Sequence, residues 1–207
     1  PTNDKTKSRH KADTRLRRLP ERGSKDFDLA CAIIDDARIG HVGFTLDGQP
    51  YVVPMAVARD GRNLLLHGSV VSRLMKNLAG GLPCCVTMTH LDGLVLARSA
   101  FHSSMNYRSV MVFGSAAAVT EPEEKVRGLD VLTDHLLPGR RAELRAATRK
   151  ELNATTLLRL PIEQHPTAHD HLVARAVERI DYSSASLKIN LAVSELPDFT
   201  CVPGTTV

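Results

Sequence analysis

The sequence predicts a mainly β protein with peripheral helices, built as a six-stranded antiparallel Greek-key barrel. Two turn signals, Asp47-Gly48 and Asp60-Gly61, separate the first three apolar segments of strand length. Two or three helical segments lie between the later strands. Strands that follow one another through tight turns pair as an antiparallel meander, so a parallel sheet is not expected.

The composition is that of an ordinary globular protein, with 43% hydrophobic and 24% charged residues in a chain of 207. This length is sufficient to bury a hydrophobic core. No apolar run approaches the roughly 20 residues that span a bilayer, and no signal-peptide pattern occurs at the polar, basic start. We therefore expect a cytoplasmic protein without a membrane partner.

The basic charge is concentrated in a tail, residues 1–25, which holds nine Lys or Arg against three acids. The formal net charge is +4, so the rest of the chain is slightly acidic. A basic tail is able to bind nucleic acid, but it contains no aromatic residue to stack on a base. We favour a solvated extension and no nucleic-acid partner. Residues 26–163 are the predicted domain, and 164–207 are a C-terminal extension for which the sequence patterns do not specify a structure.

Neither the cysteines nor the C-terminal histidines predict a metal site. No Cys-x-x-Cys spacing occurs, and Cys84-Cys85 point to opposite faces of a strand, so buried reduced thiols are favoured. His165, His169 and His171 invite a metal interpretation, but only Asp170 accompanies them, which favours a surface loop. The four cysteines are Cys31, Cys84, Cys85 and Cys201.

The first half of the predicted domain alternates between helix and strand. A helix is predicted over 26–38, where apolar residues recur at helical spacing. A second helix is predicted over 70–79, and Gly80-Gly81 ends it. The strands predicted around them are 39–45, 51–58, 63–67 and 84–90.

The second half is predicted to complete the barrel. The segment 91–93 reads as a turn, and 99–106 as a polar loop. A long strand follows over 107–120, in which Gly114 indicates a bend. Thr120-Glu121-Pro122-Glu123 has the pattern of a capping box with Pro in the first turn. Two helices, ending near Leu136 and spanning 142–152, and a final strand over 155–162 are the remaining predicted elements.

The segment 63–76 combines a strand end with the start of a helix and carries the main functional signal. Ser69 occupies the predicted N-cap position. Ser69 with Arg73, and Ser72 with Lys76, are four residues apart, which places a hydroxyl and a cation together on a helix. Arg binds phosphate through two parallel hydrogen bonds, and Lys adds a point charge. A phosphate site and a simple capped amphipathic helix both remain open from these residues.

Several motifs resemble one known family. The segments THLDGLVLARSAFH (89–102) and SMNYRSV (104–110) closely resemble the nitroimidazole-resistance (Nim-type) branch of the pyridoxamine 5′-phosphate oxidase-like flavoproteins. The LHGS (66–69) and GQPYVVP (48–54) segments, together with LPERG (19–23), belong to the same pattern. The resemblance extends over about 19–163.

The resemblance implies a split β-barrel that forms a homodimer and binds FMN in two clefts at the subunit interface. Ser69, Ser72 and Arg73, with Lys76, then correspond to the phosphate site, and Gly68 lies in the same motif. Pro54 removes one ladder donor from the strand that borders the flavin ring. The other cofactor-binding residues implied by the resemblance are Val53, Met55 and His67 and, from the partner chain, Asn106, Tyr107, Arg108 and Ser109.

Two histidines are the catalytic candidates. In this branch a histidine at the position of His67 lies beside the flavin, where it could donate a proton or hold an anionic substrate; the alternative is that it fixes the strand-to-helix turn. His102 is the second candidate. Many relatives carry a further histidine where this chain has Ser103, and the chain lacks Trp, so the Trp-Gly ending of the family is absent.

The implied function is that of an FMN-dependent oxidoreductase. It would pass electrons from NAD(P)H to a small organic acceptor such as a nitro-aromatic. No Gly-x-Gly-x-x-Gly motif follows a strand, so the nicotinamide is expected to bind transiently on the flavin. The alternative is a dimer that binds and stores a flavin, a deazaflavin or a haem-like ligand without turnover.

Overall fold

The computed structural model describes residues 23–24 and 26–162, and the backbone of 172–176. The predicted tail before residue 23, the three C-terminal histidines and Cys201 lie outside the described residues. The helices are α1 (Phe27–Asp36), α2 (Arg73–Ala79), α3 (Pro122–Leu136) and α4 (Arg149–Ala154). The strands are β1 (Gly23–Ser24), β2 (Ile39–Leu46), β3 (Gln49–Asp60), β4 (Asn63–Ser69), β5 (Pro83–Val95), β6 (Ser104–Ser115), β7 (Ala117–Ala118), β8 (Thr155–Pro161) and β9 (Leu172–Ala176).

The predicted fold class is confirmed, because the strands form one antiparallel, curled sheet with helices at its periphery. The order is β1-β9-β6-β5-β2-β3-β4-β8-β7. The six predicted strands correspond to β2 through β6 and β8. The described residues add the short strands β1, β7 and β9, which extend the edges of the sheet. Sequence patterning did not indicate β1 and β9, and β7 was predicted as the end of the long strand over 107–120.

A hydrophobic core fills the concave side of the sheet. Ile33 and Ile34 of α1 pack there against Leu64, Leu66 and Met88, and all five side chains are fully buried. Burying such a side chain stabilises the fold by roughly 1.5–3 kcal/mol. The intervening Leu65 is also fully buried, in a second cluster under α3. Both faces of β4 are therefore covered, which fixes the position of its end.

The predicted start of α2 is wrong. Ser69 is the last residue of β4 and pairs with Thr155 of β8, and the Val70 N–H donates to the Ala154 carbonyl at 3.0 Å. Helical backbone begins only at Arg73, and Ser72 is the N-cap, its Oγ accepting from the Met75 N–H at 3.5 Å. Because sheet pairing holds Ser69 outside the helix, the predicted helical stacking of Ser69 on Arg73 does not occur.

The turn predicted at 91–93 and the loop predicted over 99–106 are also wrong in detail. β5 continues through that segment, and its pairing with β6 shifts by a bulge between Leu91 and Gly93. The loop contracts to a short 3₁₀ turn over Ala100–His102, and β6 resumes at Ser104. A bulge absorbs one extra residue without ending the ladder, so a Gly in a strand resembles a turn signal.

The helix caps also differ from the prediction. The N-cap of α3 is Glu121, without a side-chain capping bond, although Pro122 does occupy the first turn. The capping box of the chain instead joins Thr148 to Glu151 at the start of α4. The helix predicted over 142–152 is replaced by a 3₁₀ turn, Arg140–Glu143, and by α4.

Near Gly114 the chain leaves β5 and joins β8 as β7, which agrees with the predicted bend.

Cys31 and Cys85 are in the reduced state among the described residues. No group of three potential metal ligands is found within the same part of the chain. Within the same residues, no helix is long and apolar enough to cross a membrane.

Candidate functional site

The candidate site lies where β3 and β4 separate. The ladder between them joins Asp60 to Asn63 and ends at the pair Val57 and Leu66. Upstream of Val57, β3 pairs only with β2, so within the described residues its other edge has no strand partner. The backbone groups that point to this open edge are those of Val52, Pro54 and Ala56, and they are available to a ligand. The backbone groups of the predicted residues Val53 and Met55 point to β2.

The end of β4 lines the opposite side of this gap. His67 and Gly68 pair through their backbones with Leu157 and Thr156 of β8, so they continue the sheet away from β3. The His67 ring is half-buried, and within the described residues its buried Nδ1 has no hydrogen-bond partner. Burial lowers the pKa of His67, which favours the neutral imidazole. A buried polar atom without a partner is uncommon in a folded protein, so His67 Nδ1 is a candidate contact for a ligand.

Gly68 sets the distance between β4 and α2. A Cβ built on Gly68 would lie 2.8 Å from Met75 Cγ and 3.1 Å from its Sδ. Met75 is only 1% exposed, so it has little room to move. The absence of a side chain at Gly68 therefore allows α2 to pack directly on the end of β4.

The predicted phosphate cluster is brought together only in part. Ser69, at the end of β4, and Ser72 and Arg73, at the start of α2, lie within five residues of one another across the β4–α2 junction. Ser72 Oγ caps the helix and Ser69 Oγ accepts weakly from the Val71 N–H at 3.4 Å. Arg73 is exposed, and no carboxylate of the described residues pairs with it. Lys76 is exposed on the next turn of the same helix.

Arg73 contacts Tyr51, which in turn stacks on Phe44, and neither aromatic residue was among the predicted site residues. The Arg73 guanidinium carbon is 5.1 Å from the centroid of the Tyr51 ring, and the Tyr51 ring stacks on Phe44 with centroids 5.2 Å apart and 14° between the planes. The pair was available from the sequence, because a two-residue turn at Asp47-Gly48 places residues 44 and 51 opposite each other. The observed register confirms this pairing.

Arg108 is in a different electrostatic environment. Its guanidinium donates to Asp36 at 2.9 Å and to Asp92 at 3.1 and 3.2 Å. These bonds lower the pKa of Asp36 and raise that of Arg108. The bulge at Leu91–Gly93 carries Asp92, so the feature mistaken for a turn supplies one of the two carboxylates.

The remaining predicted site residues follow β6 and the turn before it. The Asn106 side chain is half-buried, and its buried Oδ1 has no hydrogen-bond partner within the described part of the chain. Tyr107 and Ser109 are half-buried on the same strand. His102 is exposed in the 3₁₀ turn, with its ring edge-on to Phe101 at 5.2 Å. Among the described residues, no hydrogen bond or ring contact joins His102 to His67.

The comparison with protein families identifies the class. Residues 26–168 match the family model described as pyridoxamine 5′-phosphate oxidase. Since this match covers more than half of the chain, the protein belongs to the pyridoxamine 5′-phosphate oxidase family, and the predicted family is confirmed. No curated protein sequence matches the chain at a significant level.

Similar solved structures span most of the chain. The FAD and heme binding protein from Mycobacterium smegmatis is 32% identical, with a TM-score of 0.71, and the match covers 88% of this chain and 94% of that one. The flavocytochrome Anf3 from Azotobacter vinelandii is 28% identical, with a TM-score of 0.73, covering 95% and 94%.

A third structure shares the fold at lower identity. It is a candidate 5-nitroimidazole antibiotic resistance protein from Bacteroides thetaiotaomicron VPI-5482, with 23% identity and a TM-score of 0.58. The match covers 74% of this chain and 87% of that one. This similarity supports the fold.

Proposed function

We propose that this protein binds a flavin nucleotide in the gap between β3 and β4. The observation that carries the proposal is the edge of β3 around Pro54, which has no strand partner among the described residues, together with Arg73, a cation that contacts Tyr51 of the same strand and that no described carboxylate neutralises. Flavin nucleotides need both parts, since the ring hydrogen-bonds to backbone groups and the phosphate requires a cation. The FAD and heme binding protein, at 32% identity, supports the same cofactor class.

Arg73 is the residue that binds the phosphate end of the ligand. Its guanidinium offers planar N–H pairs that match two phosphate oxygens. Lys76 adds a second positive charge, as a point charge. The hydroxyl of Ser69 completes the set, since its only described contact is the 3.4 Å bond from Val71. Ser72 contributes mainly by capping α2.

β3 and His67 bind the ring end of the ligand. Pro54 lacks an N–H and offers only its carbonyl to the gap, while its neighbours Val52 and Ala56 keep a donor and an acceptor on that side. His67, kept neutral by burial, has one nitrogen able to accept and one able to donate. Its unpartnered Nδ1 is the group that a flavin ring or a substrate would satisfy.

The sequence resemblance implies FMN, whereas the two most similar structures cited above are described as FAD and heme binding and as a flavocytochrome. A phosphate site built on Arg73 serves either nucleotide. FMN is therefore the first candidate, and an FAD-containing flavocytochrome with haem is the second, favoured by those two structures. The released cofactor separates them, because FMN, FAD and haem differ in mass and in visible spectrum.

A second copy of this chain is the proposed partner. The hairpin formed by the outer halves of β5 and β6 exposes large apolar side chains that a single copy leaves in water. Phe101 is 90% exposed, and Leu94 and Leu96 are each 63% exposed. Covering them in a homodimer brings the β6 residues Asn106 to Ser109 to the flavin of the other subunit. Sedimentation equilibrium should give twice the mass of one chain; a monomer at micromolar concentration would contradict this arrangement.

The proposed activity is that of an oxidoreductase acting on a small organic acceptor of the nitro-aromatic type, with NAD(P)H as the donor. When bound, the flavin supplies two-electron transfer between them. In this role His67 holds or donates a proton beside the ring, and His102 is a second candidate whose exposed position suits substrate entry. The alternative is a dimer that binds the flavin without turnover.

One experiment tests the binding and the activity separately. The full chain is purified, and its visible spectrum and released cofactor are recorded. NADH or NADPH is then added without oxygen. A flavin band that bleaches, and returns when a nitro-aromatic is added, supports the oxidoreductase; a flavin band that never bleaches supports the storage dimer. A colourless protein that binds neither FMN nor FAD overturns the proposal.

A further inference from the structure

The Arg73 side chain has a support that leaves its hydrogen-bonding edges open. Long side chains such as Arg lose about 2 kcal/mol of rotamer freedom when they are fixed. A carboxylate would fix the guanidinium by using its in-plane N–H donors. Tyr51 instead contacts the group through its ring, with the guanidinium carbon 5.1 Å from the ring centroid. A cation–π contact at this distance attracts the cation and does not need a carboxylate to occupy its N–H donors.

Tyr51 is itself held in place by the sheet. It lies directly opposite Phe44 in the β2–β3 ladder, and the two rings stack 14° from parallel. Phe44 is 9% exposed and belongs to the main core. The three groups therefore form a continuous column, from the core through Phe44 and Tyr51 to Arg73.

We propose that Tyr51 is a positioning residue that holds the Arg73 guanidinium flat for the phosphate of the flavin nucleotide. This inference rests on the proposed function and gives a role to Tyr51, which lies in the GQPYVVP segment but was not among the predicted site residues. It explains how an exposed cation on a helix of seven residues is positioned where no carboxylate of the described residues pairs with it. The column of Phe44, Tyr51 and Arg73 preorganises the site, so less ordering remains to be done on binding.

The alternative is that Tyr51 only fills space at the edge of the core. The two roles differ in what they do to the phosphate. A packing role predicts that loss of the ring weakens FMN and riboflavin equally, since the two differ only by the phosphate. A positioning role predicts that FMN is weakened and riboflavin is not. Tyr51→Phe keeps the aromatic face, so it serves as the matched control for Tyr51→Leu.

The experiment measures dissociation constants of FMN, FAD and riboflavin for the full chain and for Tyr51→Leu, Tyr51→Phe and Arg73→Ala by flavin fluorescence. We expect Tyr51→Leu to weaken the two nucleotides about two- to fivefold, to leave riboflavin unchanged, and to be rescued by Tyr51→Phe. In the Arg73→Ala background, Tyr51→Leu should have no further effect, because the two residues act through one contact. Circular dichroism confirms that each variant is folded.

Equal weakening of FMN and riboflavin, or an effect of Tyr51→Leu that persists without Arg73, would overturn the positioning role. If Tyr51→Leu does not fold, Tyr51→Phe and Tyr51→His keep the test open: both retain an aromatic face, so a loss of the phosphate preference in either contradicts the inference. A wild-type chain that binds no flavin would instead overturn the proposed function, which distinguishes the two failures.

Discussion

Arg73 and Arg108 are the two arginines that the sequence assigns to one site, and the structure gives them opposite surroundings. Arg108 donates to two carboxylates, Asp36 and Asp92, so the group as a whole carries a net negative charge. Arg73 lies over the Tyr51 ring, and none of the described carboxylates pairs with it. An arginine paired with carboxylates has its donors occupied within its own chain and stabilises the fold. An arginine that contacts an aromatic face keeps its donors available to bind an anion.

The largest difference is expected when each arginine is removed in turn and flavin affinity is measured. Arg73→Ala removes a charge-assisted contact to the phosphate, worth roughly 1.5–3 kcal/mol, so FMN or FAD should bind about ten- to hundredfold more weakly. Arg73→Lys keeps the charge without the planar donors, so its flavin affinity should lie between those of the wild type and Arg73→Ala. Titration of flavin fluorescence measures the effect, and unchanged affinity in Arg73→Ala would move the phosphate elsewhere.

A smaller effect, on stability, is expected from the packing that places Arg73. Gly68→Ala forces a Cβ against Met75, 2.8 Å from its Cγ, and overpacking of this kind costs about 1–3 kcal/mol. Gly93→Ala, beside the Arg108 cluster, meets no heavy atom within 4 Å and is the matched control. Urea unfolding of both variants checks the prediction; equal stability would show that α2 moves aside freely.

The effect of Arg108→Ala on flavin affinity should be smaller than that of Arg73→Ala. Its ion pairs are partly exposed, at 31% for Arg108 and 58% for Asp36, and such pairs contribute roughly 0–1 kcal/mol. We expect at most about a fivefold change in flavin affinity, with a lower thermal midpoint. A loss as large as that of Arg73→Ala would show that Arg108 contacts the phosphate directly.

The smallest expected effect is a difference in how the surroundings of Arg108 and of Arg73 contribute to the pH dependence of thermal stability. Arg108 lowers the pKa of Asp36 in the folded protein, so the unfolded chain binds the proton more readily. The stability that this carboxylate contributes is present above its ordinary pKa and is lost as the pH falls through the lowered value. The thermal midpoint should therefore fall between pH 5 and pH 3 by less in Asp36→Asn than in the wild type. Arg73→Ala, which removes no carboxylate contact, should retain the wild-type slope.

Much of the fold follows from local sequence patterns, and the errors have physical causes. The strand pairs around Asp47-Gly48 and Asp60-Gly61 were predictable because tight turns fix the register of neighbouring strands. Ser69 was misassigned as a cap because nothing local shows that β8, some 90 residues later, extends β4 through it. The turn predicted at Leu91–Gly93 failed for the same reason, since pairing with β6 carries the strand through a bulge.

The sequence by itself determined the antiparallel class, the family motifs and the identity of the candidate phosphate-binding residues, since these depend on spacing along the chain. Only the tertiary structure decided which of the two arginines pairs with carboxylates of the described residues, and which edge of β3 has no strand partner among them. Asp36 and Asp92 reach Arg108 from α1 and from the bulge of β5, while Tyr51 reaches Arg73 from β3. Such contacts depend on how distant segments pack, and no local pattern encodes them.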